Sequence, residues 1–306
     1  MVSRLQEIVD LYDPALPLGR AYTIPAPWYT DTQIAELERK AVFGSTWQAV
    51  GREDQVVEAG NYFTAEVAGE PLVVVRGEDR QLRAFLNVCR HHAAAVATEA
   101  MGKTSHFRCP YHGWTYATDG SLKGMPEFDG VCDFDISRQG LVPVRAEGWE
   151  KFIFVNLEPA AGSLNEFLGA LVDQVRPLGL DGLHFIERRS YELACNWKVF
   201  VDNYLDGGYH VPHVHKGLNA VLDYSHYTIV NAGRCCIQSS PMKSSSQADA
   251  ATAATRKGER TYYFWQYPNF MINWYEGIMD TNLVLPVDAD HCRVIFDFYF
   301  SQTAGI

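Results

Sequence analysis

Between Asn87 and Tyr116 the chain carries Cys89-x-His91 and, after 17 further residues, Cys109-x-x-His112. This feature constrains the fold more than any other. Four metal-binding side chains so close in sequence must be delivered to one point by tight loops on a rigid base. Two kinds of site take two cysteines and two histidines. One is a structural zinc ion; the other is a two-iron, two-sulfur cluster in which histidines replace two cysteines on one iron. Zinc fingers group like ligands together, as Cys-x-x-Cys and His-x-x-x-His. Here each arm holds one cysteine and one histidine, so each can give a thiolate to one iron and an imidazole to the other. The spacing therefore favours the cluster.

That alternation is the Rieske pattern. Its flanks agree: Pro110, Gly113 and Trp114 complete "CPYHGW", which reads as a loop tip on a β-hairpin base. Imidazoles carry less negative charge than thiolates, so such a cluster is easier to reduce than an all-cysteine one. His92 and His106 lie out of register and read as surface or packing histidines. Cys132, Cys195, Cys235, Cys236 and Cys292 have no ligand context and read as buried or free thiols. An odd count of seven cysteines, two of them beside histidines, favours metal over disulfides and a reducing, cytoplasmic setting.

Bulk properties exclude other classes. A net charge of −11, from 26 basic and 37 acidic residues, argues against nucleic-acid binding, which needs a basic surplus. No apolar run approaches the roughly 18 residues of a membrane span. The opening "MVSRLQEIVDLYDPALPLGR" lacks the apolar core of a signal peptide.

A second histidine pattern lies in "NWKVFVDNYLDGGYHVPHVHKG", residues 196–217, with His210, His213 and His215. Two imidazoles and a carboxylate make the facial triad of mononuclear iron(II) oxygenases. On a straight helix, positions five apart diverge by about 140°. Gly207, Gly208 and Pro212 supply the break that convergence requires. A cluster upstream strengthens the pattern, because its electron needs an acceptor. His213 reads as a supporting residue.

The expected fold class is α+β. Residues 1–44 read as an arm, extended over 1–30, followed by an amphipathic helix over 30–43 capped by Thr30 or Asp31. Residues 45–160 read as a small antiparallel β domain, from short runs such as "PLVVVRG" and "KFIFVNL". Residues 161–306 read as a second, catalytic domain. It opens with a helix over 163–175, where Ser163 and Glu166 match a capping box. A strand near 185–194 and a helix through "NWKVFVDNYLDG" follow. Residues 239–260 are Ser/Ala-rich and read as a loop. "TYYFWQYPNFMINWY", "DTNLVLPV" and "CRVIFDFYFSQ" then read as three strands of an antiparallel sheet flanked by helices, a helix-grip-like arrangement.

From about Trp47 onward the chain resembles the α subunits of Rieske-type non-haem iron oxygenases. "DNYLDGGYHVP..H", "YPNFMINWY" and "MDTNLVLP" are similar to the choline monooxygenase group. The resemblance implies that Cys89 and Cys109 bind one cluster iron, His91 and His112 the other, and His210 and His215 the mononuclear Fe(II). It implies a carboxylate bridge for electrons between the centres, assigned to Asp206 with Asp202 as the alternative. It also implies O2 as oxidant, NAD(P)H acting through a separate reductase or ferredoxin, and a homotrimer in which His112 faces the neighbour's Asp206. Relatives supply a third iron ligand from a helix after the last strands. No residue here matches it, so the catalytic domain is expected to be C-terminally truncated.

For substrate, the aromatic-rich stretch 262–275 nominates Tyr263, Trp265, Trp274 and Tyr275 as pocket residues. Ring faces attract quaternary ammonium groups, so choline or a related trimethylammonium compound is expected. The alternatives are an aromatic ring substrate, an electron carrier, or an inactive remnant lacking the third ligand.

Overall fold

The computed structural model describes residues 3–243 and 255–302. The chain divides into two compact units, Arg39–Leu164 and Met1–Glu38 with Asn165–Ile306. The arm through Glu38 thus groups with the C-terminal unit. The division falls at Glu38/Arg39 and Leu164/Asn165, where the sequence suggested 44/45 and 160/161.

The Arg39–Leu164 unit is built of short antiparallel strands. These are β1 (Gln48–Arg52), β2 (Asn61–Val67), β3 (Glu70–Arg76), β4 (Leu82–Leu86), β5 (Met101–Lys103), β6 (His106–Arg108), β7 (Thr115–Ala117), β8 (Leu122–Gly124), β9 (Pro143–Trp149) and β10 (Phe152–Asn156). Seven form one sheet in the order β1-β10-β9-β4-β3-β2-β5, and β6-β7-β8 form a second. The run "LVVV" in β3, residues 72–75, is buried on both faces, which explains its unbroken apolar character. One of its faces joins Val56, Phe63 and Ile153, while the other joins Phe85, Phe107, Trp114 and Tyr116 beneath the cysteine loops.

In the other unit the arm is not simply extended. Ser3 accepts from the Gln6 N–H and starts α1 (Arg4–Val9), and a further turn, α2, runs Pro27–Thr30. The expected helix over 30–43 is shorter: α3 spans Thr32–Glu38, with the Asp31 carboxylate accepting from the Gln33 N–H at 2.8 Å. Arg39–Phe43 then widens into a π-turn, closed by Gly44 N–H to the Arg39 carbonyl. The helix expected over 163–175 is two pieces, α4 (Leu164–Leu168) and α5 (Ala170–Val175), split at Gly169, whose φ of 53° leaves the helical region.

Seven antiparallel strands follow among the described residues: β11 (His184–Leu193), β12 (Thr228–Ala232), β13 (Cys235–Pro241), β14 (Arg260–Gln266), β15 (Phe270–Tyr275), β16 (Ile278–Pro286) and β17 (Cys292–Phe300), in the order β11-β17-β16-β15-β14-β13-β12. Where the sequence suggested three final strands there are four, because Tyr267–Asn269 turns "TYYFWQYPNFMINWY" into a β14–β15 hairpin. Pro268, which has no N–H to give a ladder, marks that turn. Of the loop expected over 239–260, residues 239–241 belong to β13, and residues 244–254 lie outside the described set. Between β11 and β12 lie α6 (Trp197–Leu205), α7 (Val211–Val214) and α8 (Lys216–Val221). The Asn196 side chain caps α6 by accepting from Lys198 N–H.

The arm is tied to α6 by buried polar contacts. Lys198 Nζ reaches both Glu38 carboxylate oxygens, at 2.7 and 2.9 Å, and Trp197 Nε1 donates to the same carboxylate. Burial pulls the Lys198 pKa down against that partner.

Candidate functional site

The first locus rests on two loops of matching construction. The Cys89 N–H donates to the Ala94 carbonyl, and the Ala93 N–H returns to the Cys89 carbonyl. Twenty residues on, the Cys109 N–H donates to the Trp114 carbonyl and the Gly113 N–H returns to Cys109. The fourth residue after each cysteine is left-handed, Ala93 at φ 61° and Gly113 at φ 74°. Asn87 fixes the first loop from below: its Oδ1 accepts from the Val96 and Ala97 N–H groups, and its Nδ2 donates to the Ala97 carbonyl. Sequence reasoning did not single out Asn87.

Both thiols are 3 % exposed, while His91, His92 and His112 stand at the surface. The rings of His91 and His112 are 4.8 Å apart, and His91 stacks on Trp114 at 4.8 Å with a 6° interplanar angle. His92, expected to be a bystander, is exposed and packs 4.0 Å from His91. The ring nitrogens of these three histidines lie within 4.8 Å of one another. Partial desolvation, then the neighbouring His92 and His112, hold the His91 pKa below its ordinary value. Tyr116 supplies one more contact: its hydroxyl accepts from Arg90 N–H at 3.0 Å and lies 3.3 Å from Cys89 Sγ. Burial first, then Cys89, push the Tyr116 pKa up, so the hydroxyl keeps its proton. The donor set suits a mixed thiolate–imidazole cluster, with sulfur buried, nitrogen exposed and a hydroxyl aimed at one sulfur.

The second locus begins where α6 ends. Asp206 is its C-cap, and Gly207 and Gly208 follow at φ 76° and 69°. A Cβ on Gly207 would come 2.5 Å from Ile229 Cδ1, and one on Gly208 would come 3.2 Å from the Tyr227 ring. Glycine meets both the backbone and the spatial demand. His210 then opens α7, and His215 lies between α7 and α8. The break brings the His210 and His215 rings to 5.0 Å. Asp206 Oδ2 lies 2.5 Å from His210 Nδ1, which leaves Nε2 as that ring's free donor position. Asp202, one turn earlier, instead accepts from the Tyr29 hydroxyl at 2.5 Å. His213 lies near Tyr209, 6.1 Å between rings, apart from the pair. Among the described residues no carboxylate joins His210 and His215 as a third donor at metal-binding spacing.

A cavity of about 590 Å³ borders both histidines. Tyr263 and Tyr275 line it, and their hydroxyls are 2.7 Å apart. Trp265 and Trp274 do not line it. Trp274 is adjacent to Tyr275 on one strand and so points to the opposite face, where it meets Tyr262. Trp265 shares a face with Tyr263 but lies toward the hairpin turn, its Nε1 donating to the Pro268 carbonyl. Sequence reasoning missed Tyr204, Tyr227, Asn273, Asp280, Phe296 and Phe298, all of which border the cavity. The alternation of β16 and β17 would have grouped Asp280 with Phe298, but not revealed which face held the cavity.

One unit thus carries cysteines and histidines on two loops, and the other a histidine pair beside a cavity, a combination suited to electron relay and oxygen chemistry. The Rieske [2Fe-2S] domain family matches residues 46–135, and the ring hydroxylating alpha subunit (catalytic domain) family matches 180–305. Choline monooxygenase, chloroplastic, of Arabidopsis thaliana is 41% identical over 99% of this chain and 73% of its own length. The carnitine monooxygenase oxygenase subunit of Escherichia coli K12 is 34% identical over 92% of this chain and 76% of its own. A solved quaternary ammonium Rieske monooxygenase, studied for carnitine oxidation by gut microbiota and inter-subunit electron transfer, superposes with a TM-score of 0.83 at 30% identity. It covers 92% of this chain and 77% of that one. The chain belongs to the Rieske oxygenase family, as a catalytic subunit related to choline and carnitine monooxygenases. The family carries iron–sulfur and non-haem iron, takes electrons from a partner and acts on small substrates. Among the described residues no helix is long and apolar enough to cross a membrane.

Proposed function

We propose that this chain hydroxylates choline or a related trimethylammonium compound. In this reading a [2Fe-2S] cluster is held by Cys89, His91, Cys109 and His112, and a mononuclear iron by His210 and His215. The observation that carries it is the cavity bordering both histidines, walled by tyrosine and phenylalanine rings that suit a quaternary ammonium group. The likeness to choline and carnitine monooxygenases supports the same class.

When bound, the two centres supply single electrons and the activation of O2 for insertion of oxygen into a C–H bond. The protein's own groups do the rest. Buried thiolates and exposed imidazoles make the first locus a relay with its nitrogen face outward. Asp206 holds the Nδ1 proton of His210, orients that ring, and takes the role of electron bridge. Asp202, engaged with Tyr29, does not. Tyr263 and Tyr275 wall the substrate space and exclude water. Electrons would come from NAD(P)H through a separate reductase or ferredoxin. A homotrimer with His112 facing the neighbour's Asp206 is consistent with the inter-subunit electron transfer described for the solved relative. A cytoplasmic setting agrees with seven cysteines that form no disulfide among the described residues.

The test is oxygen uptake by the reductase-coupled protein with choline, carnitine, betaines and simple aromatics. Uptake with a trimethylammonium compound is expected. His215→Ala should abolish it while the cluster's visible absorption persists. Uptake with aromatics alone overturns the substrate class. A normal cluster spectrum with no uptake on any substrate leaves an electron carrier or inactive remnant.

A further inference from the structure

One charge in the cavity has no part in the reading above. Asp280 of β16 borders the cavity, and its Oδ2 accepts from Asn273 Nδ2 at 2.7 Å and Asn282 Nδ2 at 3.3 Å. Both partners are neutral amides. Asn273 is fixed in turn, its Oδ1 accepting from the Tyr204 hydroxyl at 2.9 Å. Among the described residues no lysine, arginine or histidine forms an ion pair with this carboxylate. Arg256 also lines the cavity but is turned to Tyr275, with Nε 3.4 Å from the hydroxyl and the guanidinium 5.8 Å from the ring centroid. Asp280 itself is half-buried.

A deeply placed carboxylate that meets only amides is costly unless a cation arrives. The form of the site says which cation. A primary ammonium needs several hydrogen-bond acceptors, whereas a quaternary ammonium donates no conventional hydrogen bond and needs charge and ring faces. Here the carboxylate oxygen is already engaged by amide donors, and Tyr204, Tyr227, Tyr263, Tyr275, Phe296 and Phe298 border the same cavity.

We infer that Asp280 is the counter-ion of the substrate's trimethylammonium group and sets the preference for cations over neutral molecules of the same shape. The inference rests on the reading that the substrate carries such a group. Asn273, Asn282 and Tyr204 act as positioning residues, holding the carboxylate toward the cavity.

Equilibrium binding to the full, metal-loaded protein without oxygen tests it. The probes are choline and 3,3-dimethylbutan-1-ol, which replaces the ammonium nitrogen with carbon. The native protein should bind choline roughly thirtyfold or more tightly than the neutral alcohol. Asp280→Asn, which keeps the size of the side chain, should reduce that ratio to within about threefold, with the alcohol's own affinity kept as the check on folding. A native protein that prefers choline, in a pair where Asp280→Asn keeps the ratio, overturns the role of Asp280 and leaves the substrate class standing. Equal affinity for the two probes in the native protein overturns both. Should Asp280→Asn fold poorly, Asp280→Ser removes the same charge and is read by the same ratio, a kept preference for choline again overturning the role of Asp280.

Discussion

The loops around Cys89 and Cys109 and the segment around His210 and His215 both bring histidine rings together, by different means. Each cysteine loop closes on itself through two backbone hydrogen bonds, and Asn87 ties the first from residues only nine and ten away. The two loops are then joined by the Tyr116 hydroxyl, which reaches Arg90 and Cys89. The second locus depends on distant residues. Ile229 and Tyr227 crowd the space a side chain would take at Gly207 and Gly208, and Tyr204 reaches across to Asn273. It also keeps a carboxylate, Asp280, that has no ion-pair partner among the described residues. The first locus is built for rigidity, whereas the second leaves charge and space for a substrate.

The largest expected effect tests that leftover charge. Burial pushes the Asp280 pKa from its ordinary 3.8 up to about 6, against the Asn273 and Asn282 hydrogen bonds and the Arg256 charge, which pull it down. The folded chain therefore holds this proton more tightly than the unfolded chain does. The associated stability is fully present below pH 3.8 and is lost as pH rises through about 6. The loss amounts to at most about 3 kcal/mol, since cavity water screens the charge. Asp280→Asn should thus match the native protein near the acid end and exceed it above the upper pKa when unfolding is followed in urea across pH. A difference independent of pH would mean that the carboxylate ionises at no cost, and the contrast between the loci would fail.

Next in size is a pair of substitutions of opposite sign. Gly207→Ala forces a non-glycine residue into the left-handed region, at about 1–2 kcal/mol. The half-exposed Ile229 can swing its terminal methyl aside, so the backbone cost dominates. Iron bound at His210 and His215 should fall with it, while cluster absorption stays. Ala93→Gly relieves the same conformation in the first locus and should gain up to about 1 kcal/mol. Loss of stability at both positions, read from urea midpoints, would show that Ala93 packs in its pocket more than it strains its backbone.

The same contrast explains what could be read in advance. The two loops that carry Cys89, His91, Cys109 and His112 are legible because a short local pattern needs only tight backbone turns to bring its side chains to one surface. The helix break at Gly207–Gly208 is legible because glycine pairs interrupt helices wherever they occur. Asp280, Asn273 and Tyr204 are not, since their meeting depends on how α6 crosses β14–β16. Alternation shows that Trp274 and Tyr275 cannot share a face, yet not which of them meets the cavity. The arm's grouping with the C-terminal unit rests on Glu38 meeting Lys198, 160 residues away, and no local pattern signals it.

The smallest effect probes Tyr116, the side chain whose hydroxyl lies beside a thiol of the first locus. The Tyr116 oxygen already accepts from Arg90 N–H, so its own proton is free to point at Cys89 Sγ, 3.3 Å away. A donor on sulfur stabilises the reduced cluster, which carries more negative charge. Tyr116→Phe keeps the buried ring among Phe107, Trp114 and Leu122 and removes only that donor. The potential should fall by roughly 40 mV, the one-electron equivalent of about 1 kcal/mol. Cluster content and the binding of iron by His210 and His215 should not change. An unchanged potential in a redox titration would show that the hydroxyl serves the Arg90 backbone alone. The first locus would then owe its properties to its loops, without help from the side chain packed beneath them.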